Sequence, residues 1–165
     1  MDATQRLSLP MMQPGQAQKE LVHNEALQAL DIMVAAAVEE PPRSAPPESP
    51  TPGSCYLVAD APTGEWASAA GRVAAHTAAG WRFVEPAEGM TVFVRSTAVN
   101  ATYRAGAWEM GVLRGEAVVV SGQQVIGARR PPIGEPTGGA TADPESRAAI
   151  GAILAALRQH GLIEP

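Results

Sequence analysis

Large aromatic side chains are scarce in this sequence. Its 165 residues include only three Trp, two Tyr and two Phe, and alanine and valine dominate the 45% that is hydrophobic. A core of small side chains buries less apolar area per residue, so we expect modest stability per residue. Burial of surface between subunits can supply the remainder, which is a first indication of a homo-oligomer.

Cysteine is scarcer still. The only one, Cys55, begins the apolar run Cys55–Val58. A single cysteine forms no internal disulfide, so the sequence carries no oxidised framework. We expect Cys55 to be a buried packing residue and not a nucleophile.

Long hydrophobic runs are missing as well. No stretch approaches the ~20 apolar residues that span a bilayer. The first twelve residues are polar and include Asp2 and Arg6, unlike a signal peptide. We therefore expect a protein that is made in the cytoplasm and does not insert into a membrane.

Positive charge is limited and scattered. The formal net charge is −5, and arginine outnumbers lysine eleven to one, with Lys19 the only lysine. A nucleic-acid or anionic-membrane partner would require a basic face. The charge pattern therefore argues against a nucleic-acid partner.

Motifs for catalysis or metal binding are not recognisable. His23, His76 and His160 lie far apart and fit no metal-ligand spacing. Of three functional hypotheses for this sequence, a polysaccharide-degrading enzyme is the weakest. Such an enzyme would need two carboxylates at a defined separation, and the only candidates are Asp60 and Glu65. We expect no catalytic residue, no metal site and no cofactor.

A helix followed by a stiff spacer is predicted at the start of the chain. Between about residues 16 and 39, Leu27, Leu30 and Val34 recur at helical spacing and form an apolar stripe. Residues 41–53 contain six prolines, which indicates an extended linker. We interpret residues 1–40 as a helical anchor that this linker separates from the rest.

Short strands separated by turn residues are predicted for a β domain at residues 54–128. Helical periodicity is absent there, and strands this short and closely spaced are typical of an antiparallel barrel or sandwich. The candidate strands are 55–59, 72–76, 81–85, 90–95, 101–104, 107–112, 117–120 and 123–128.

A loop and a short helix are predicted for residues 129–165. Asp143 is placed to cap a helix over residues 144–160, with Pro144 in its first turn and Gly161 at its end. The predicted fold class is therefore α+β, with an N-terminal helix, an antiparallel β barrel or sandwich of short strands and a short C-terminal helix.

Each tryptophan follows a turn of small residues at the start of a candidate strand. One interpretation is hairpin architecture, in which the first large side chain covers the core and at least one Trp is buried. The other is a set of aromatic platforms that would stack on a pyranose ring. The platform hypothesis names Trp66, Trp81, Tyr103 and Trp108 as carbohydrate-binding residues.

Several short motifs follow one another in a specific order between Leu7 and Val112. In this order and spacing the chain resembles a family of uncharacterised phage and prophage proteins, which also occurs in gene transfer agents. The motifs are Gln13–Lys19, His23–Leu27, Leu30-Asp31, Pro46-Pro47, Gly53 with Tyr56–Val58, Thr63–Trp66, Gly80–Phe83, Pro86, Gly89, Tyr103 and Gly106–Trp108.

The resemblance implies a virion structural protein, at the base of a head spike or associated with a tail fibre. It supplies no catalytic residue. The implied partners are capsid or baseplate proteins and a spike or fibre protein, with cell-surface polysaccharide as a further one. The protein would then be surface-exposed on a virion-like particle. A capsid vertex favours a homopentamer, and a fibre a homotrimer.

Two hypotheses follow from these features together. In the first, the chain is a structural adaptor whose stripe residues Leu27, Leu30 and Val34 anchor it to the particle. Deleting residues 1–40 would then leave the β domain folded. In the second, the chain is a carbohydrate-binding receptor-recognition module of a tail fibre or baseplate.

Overall fold

The computed structural model describes residues 3–13, 19–139 and 143–165. The chain divides into two compact units, Met1–Val112 and Leu113–Pro165. We predicted a boundary near residue 128, so the observed division differs: the last β hairpin belongs with the C-terminal helix.

The N-terminal unit contains one helix and two sheets. One sheet has the strand order β2-β3-β4 and the other β1-β5-β6-β7, and all strand pairs are antiparallel except β1 with β5. The elements are α1 (Lys19–Met33), β1 (Ala37–Val38), β2 (Cys55–Leu57), β3 (Val73–Thr77), β4 (Gly80–Val84), β5 (Thr91–Val94), β6 (Val99–Arg104) and β7 (Ala107–Met110).

The α+β fold class and all eight candidate strands are confirmed, each strand within about two residues of its expected limits. The described strands form open sheets and no closed barrel. Helix α1 ends at Met33, earlier than predicted, and Ala35 has a left-handed φ of 51°. The predicted helix start at residues 16–18 lies outside the described residues.

The two sheets of the N-terminal unit share one hydrophobic core. Side chains alternate along each strand, so Cys55 and Leu57 of β2 point to the same side. They meet Val92 and Val94 of the other sheet, and Ile32 of α1 joins the same cluster. Helix α1 is therefore packed on the β domain as part of its core.

The backbone of residues 36–43 joins the two sheets. On one side, the carbonyls of Ala36 and Val38 accept hydrogen bonds from the β5 strand and from Arg95. On the other, the amides of Glu39 and Arg43 donate to carbonyls of β2. Val38 is fully buried. Deletion of residues 1–40 would remove a core strand, so we now expect it to destabilise the β domain, which differs from the expectation drawn from the sequence.

The described N-terminal residues are held against the end of α1 by two polar side chains. The buried carboxylate of Asp31 accepts hydrogen bonds from the Thr4 hydroxyl at 2.8 Å and from the amides of Arg6 and Leu7 at 3.0 and 2.6 Å. The Arg6 guanidinium donates to the carbonyls of Asp31, Ile32 and Ala35. The carbonyls of Asp31 and Ile32 lie in the last turn of α1, where intrahelical donors are lacking, and Ala35 follows just after the helix.

The C-terminal unit contains a two-stranded hairpin and a second helix. Strands β8 (Val118–Val120) and β9 (Gln123–Ile126) pair with each other, and α2 spans Pro144–Gln159. As predicted, Asp143 caps α2, where it accepts a hydrogen bond from the Ser146 amide at 2.9 Å. That hydrogen bond lowers the pKa of Asp143.

Replacing Asp31 with Ala is expected to destabilise the protein by about 2–4 kcal/mol, because three donors lose their buried acceptor. Urea unfolding followed by circular dichroism measures this. Glu25→Ala is the matched control, since Glu25 is exposed on the same helix, and it should change stability by less than about 0.5 kcal/mol. Equal effects of the two substitutions would contradict the role assigned to Asp31.

Candidate functional site

An aromatic cluster covers the outer face of the β2-β3-β4 sheet. The register places Tyr56, Ala74 and Phe83 in one row across the three strands, and Trp81 lies on the same face. Trp66, from the turn Gly64–Trp66, packs on this row. Its ring centroid is 5.0 Å from that of Trp81 and 5.8 Å from that of Tyr56.

Trp66 is a core residue and cannot serve as a carbohydrate platform. None of its surface is exposed, and its indole N–H has no hydrogen-bond partner among the described residues. The prediction that at least one tryptophan is buried is thus confirmed. Trp81 is partly exposed and also contacts His76, at 5.0 Å between ring centroids. The outer face therefore offers Trp81 and the partly exposed Phe83 to the surroundings.

Tyr103 and Trp108 form a separate pair on the other sheet. They are register partners between β6 and β7, with ring centroids 5.2 Å apart. The Trp108 indole donates a hydrogen bond of 2.8 Å to the Gly71 carbonyl, and the ring packs against the shared core. The four predicted carbohydrate-binding residues therefore do not form one platform, since they lie on two sheets.

Helix α1 carries an exposed apolar face. Val22, Leu30, Met33 and Val34 are 43–73% exposed, and their spacing places them on one side of the helix. Leu27 turns partly toward the protein and is half-buried. Of the three predicted anchor residues, Leu30 and Val34 therefore belong to the exposed apolar face, and Leu27 lies at its border.

A polar cleft of about 760 Å³ lies beside the N-terminal residues of the same unit. Four of its charged side chains pair with one another: Arg43 pairs with Glu40 and lies over the ring of Tyr56, and Arg95 is 3.6 Å from Glu39. The fifth, Arg6, donates to backbone carbonyls. Asp60 and Glu65 are not part of its lining, and both are exposed. The cleft is thus an internally paired surface.

Residues 3–13, 19–139 and 143–165 contain neither a side-chain cluster suited to a metal ion nor a membrane-spanning helix. No group of three or more His, Cys, Asp or Glu side chains in these ranges could hold a metal ion. Neither helix in these ranges is long and apolar enough to cross a bilayer.

The family described as protein of unknown function (DUF2793) matches residues 23–109, more than half of the chain. The chain belongs to this family. Among curated proteins, none matches the chain.

The DUF2793 match extends from within α1 to β7. It includes both sheets, both aromatic groups and most of the exposed face of α1. Thr4, Arg6 and the whole C-terminal unit lie outside it. The family domain thus consists mainly of the two sheets and the β1 segment that joins them.

Three polar residues that organise the helix were missed by sequence reasoning. Asn24 exchanges two hydrogen bonds with the backbone of Met12, and Asp31 and Arg6 bind as described above. Asn24 and Asp31 both stand in motifs of the family resemblance. For Asp31 the signal was its position directly after Leu30 of the apolar stripe, where a charged side chain needs a partner.

Burial raises the pKa of the Cys55 thiol to about 11. We expect it to resist a disulfide exchange reagent at pH 8 in the folded protein and to react after unfolding in urea, since only the thiolate attacks. A matched control is Ser68→Cys, which adds an exposed thiol that should react at once.

Because the pKa of Cys55 in the folded protein exceeds the ordinary 9.0, the free energy of unfolding should fall as pH rises from 9 toward 11. Rapid reaction of Cys55 with the reagent in the folded protein would contradict the burial of its thiol.

Proposed function

We propose that this protein is a non-enzymatic structural component of a phage-like particle, an adaptor at the base of a gene-transfer-agent head spike. In this role it links the particle to a fibre that binds host surface polysaccharide. The family resemblance found in the sequence implies such a role. The chain is made in the cytoplasm, assembles as a homo-oligomer and is exposed on the particle surface, as a pentamer on a capsid vertex or a trimer in a fibre.

The observation that carries the proposal is the exposed apolar face of α1, formed by Val22, Leu30, Met33 and Val34. Exposed contiguous apolar surface on a folded domain marks an interaction site. The helix is held by β1, by Ile32 in the core and by the Asp31 hydrogen bonds. A helix fixed in this way is already ordered, so docking it costs little conformational entropy.

The partner proposed for this face is a capsid or baseplate protein with an apolar groove. Amphipathic helices bind such grooves through side chains at positions i, i+3, i+4 and i+7. Leu30, Met33 and Val34 have this spacing relative to one another, and Val22 extends the row by two turns. The particle-anchoring residues of the proposal are therefore Leu30 and Val34, with Leu27 at the edge.

Replacing Leu30 with Asp is expected to remove the protein from purified particles while its fold stays intact. A charge buried in the docked face costs several kcal/mol, but Leu30 is 50% exposed before docking. Immunoblots of particles from a producing strain measure incorporation, and circular dichroism of the purified protein checks the fold. Glu25→Lys is the matched control, because Glu25 is exposed on α1 outside the apolar face. Unchanged incorporation of the Leu30→Asp protein would overturn the anchoring role.

A second candidate function is carbohydrate binding, as a receptor-recognition module of a tail fibre or baseplate. The outer aromatic face favours it, because Trp81 and Phe83 are adjacent on β4's outer side and remain partly exposed. An aromatic ring with one face open suits the apolar face of a sugar.

For this second function, Trp81→Ala should weaken binding of host capsular polysaccharide by about tenfold, because one stacking surface is lost. Titration calorimetry with purified polysaccharide measures it. Tyr103→Ala is the control on the other sheet and should bind as the wild type does. Absence of binding by the wild-type protein would exclude this function and leave the adaptor role standing.

A further inference from the structure

Strand β4 lies at the edge of its sheet, with β3 as its only neighbour among the described strands. The His76 amide in β3 donates to the Ser54 carbonyl, on the β2 side of the sheet. Successive residues of a strand direct their backbone groups to opposite sides. Ala75 therefore bonds toward β4, and its register partner Arg82 bonds back toward β3.

The two neighbours of Arg82 are left with unused backbone groups. By the same alternation, Trp81 and Phe83 direct their N–H and C=O groups away from the sheet. No backbone hydrogen bond joins these groups to another described segment, and the Trp81 carbonyl meets only the Arg82 guanidinium, at 3.5 Å. An open edge of this kind is a template on which an extended chain can pair.

A cavity of about 190 Å³ borders this edge on the inner face of the sheet. Arg82 and Val84 line it from β4, and Gln28, Ala29 and Ile32 line it from α1. Val84 also packs against the shared core, which identifies the inner face, and Arg82 lies on the same face two residues before it. The cavity therefore lies between helix α1 and the open edge.

Two polar side chains at this cavity carry unsatisfied atoms. The side-chain carbonyl oxygen of Gln28 and the Nε of Arg82 are buried and have no hydrogen-bond partner in the described part of the chain. Leaving a buried donor or acceptor unpaired is unfavourable. Both atoms belong to long side chains, so a small rotation turns them toward a group that enters the cavity. One atom accepts and the other donates, so the matching group is an amide, which carries both a donor and an acceptor.

We propose that the groove between α1 and β4 binds an extended segment of a partner protein, which adds to the sheet as a further strand beside β4. The segment pairs with the backbone of Trp81 and Phe83. Its residue opposite Arg82 projects to the inner face and enters the cavity, since cross-strand partners share a face. That residue is Gln or Asn, whose side-chain N–H donates to Gln28 and whose carbonyl accepts from Arg82. The site is separate from the exposed apolar face of α1, so it goes beyond the proposed anchoring role.

The chemistry of the groove favours this occupant over others. Opposite an apolar side chain, the Arg82 guanidinium would lose hydration without gaining a partner. A second copy is disfavoured, because antiparallel pairing of β4 with itself about Arg82 brings two guanidinium groups opposite each other. An acidic side chain would satisfy Arg82 but would face the Gln28 carbonyl oxygen and the exposed carboxylate of Glu25. The cavity volume equals that of about six waters at about 30 Å³ each, which is room for a carboxamide side chain.

The test is titration calorimetry of the purified full chain with the probe peptide Thr-Val-Gln-Val-Thr, blocked at both ends. We expect the peptide to bind, and about tenfold weaker binding when its central Gln is replaced with Glu or norleucine, because a hydrogen bond is lost. The control is the same peptide with both valines N-methylated. Those valines pair with Trp81 and Phe83, so the methylated peptide lacks the ladder donors and should not bind.

Proline at position 83 tests the edge from the protein side. Phe83→Pro removes the outward N–H and no bond to β3, as proline is tolerated on edge strands, and should weaken binding by about tenfold. Phe83→Ala is the matched control, because it loses the same ring, keeps the N–H and should bind as the wild type does. Gln28→Leu should abolish the preference for Gln over norleucine. Amide NMR spectra of the wild type need no substitution: the shifts of Trp81 and Phe83 should change most when the peptide is added.

The proposal is overturned if the wild type binds no peptide at millimolar concentration, or if the N-methylated peptide binds equally well. Binding of N-acetylglucosamine, which carries a comparable amide, in place of the peptide would assign the cavity to carbohydrate and would overturn it as well. Leu30→Asp should bind the peptide as the wild type does, so particle attachment and peptide binding are scored separately.

Discussion

The backbone of residues 36–43 is the constraint on which the N-terminal unit depends. Its hydrogen-bonding groups are divided between β5 on one side and β2 on the other, so the short strand β1 joins the two sheets through backbone hydrogen bonds. Val38, at the centre of this segment, is fully buried. Since a buried backbone must pair its polar groups, the segment has little freedom to detach.

The position of α1 follows from this constraint. The helix is followed closely by β1. Ile32 packs in the core and Asp31 hydrogen-bonds to the N-terminal residues, so one side of the helix is buried against the domain. The opposite side is left exposed with Leu30 and Val34. The same helix can therefore belong to the core and still present a docking surface.

Much of the fold was predictable from the sequence, and the exceptions have identifiable physical reasons. Strands were recognisable because turn residues separate short apolar segments. Strand β1 was missed because Val38 follows Val34 at helical spacing, so residues 37–38 were assigned to the predicted helix. Ala35, with its left-handed φ, ends the helical path between them, and alanine gives no signal of such a turn.

The candidate surfaces were less predictable, because exposure depends on which side of a sheet is covered. Trp66 and Trp81 follow similar turns in the sequence, yet Trp66 is buried on the outer face and Trp81 lies partly open beside it. Nothing in their local sequence separates them. The contact between the turn Gly64–Trp66 and the sheet decides whether the tryptophan is buried, and this contact is a property of the tertiary fold.

The excess of arginine over lysine has a structural reason. Proline removes backbone donors and leaves a surplus of carbonyl acceptors in the irregular segments. Guanidinium groups can satisfy several carbonyls at once because they carry five donors in a fixed geometry, which an ammonium group lacks. Arg6 and Arg147 each donate to more than one backbone carbonyl. Among the described residues, six arginines in all donate to backbone carbonyls: Arg6, Arg43, Arg82, Arg129, Arg147 and Arg158.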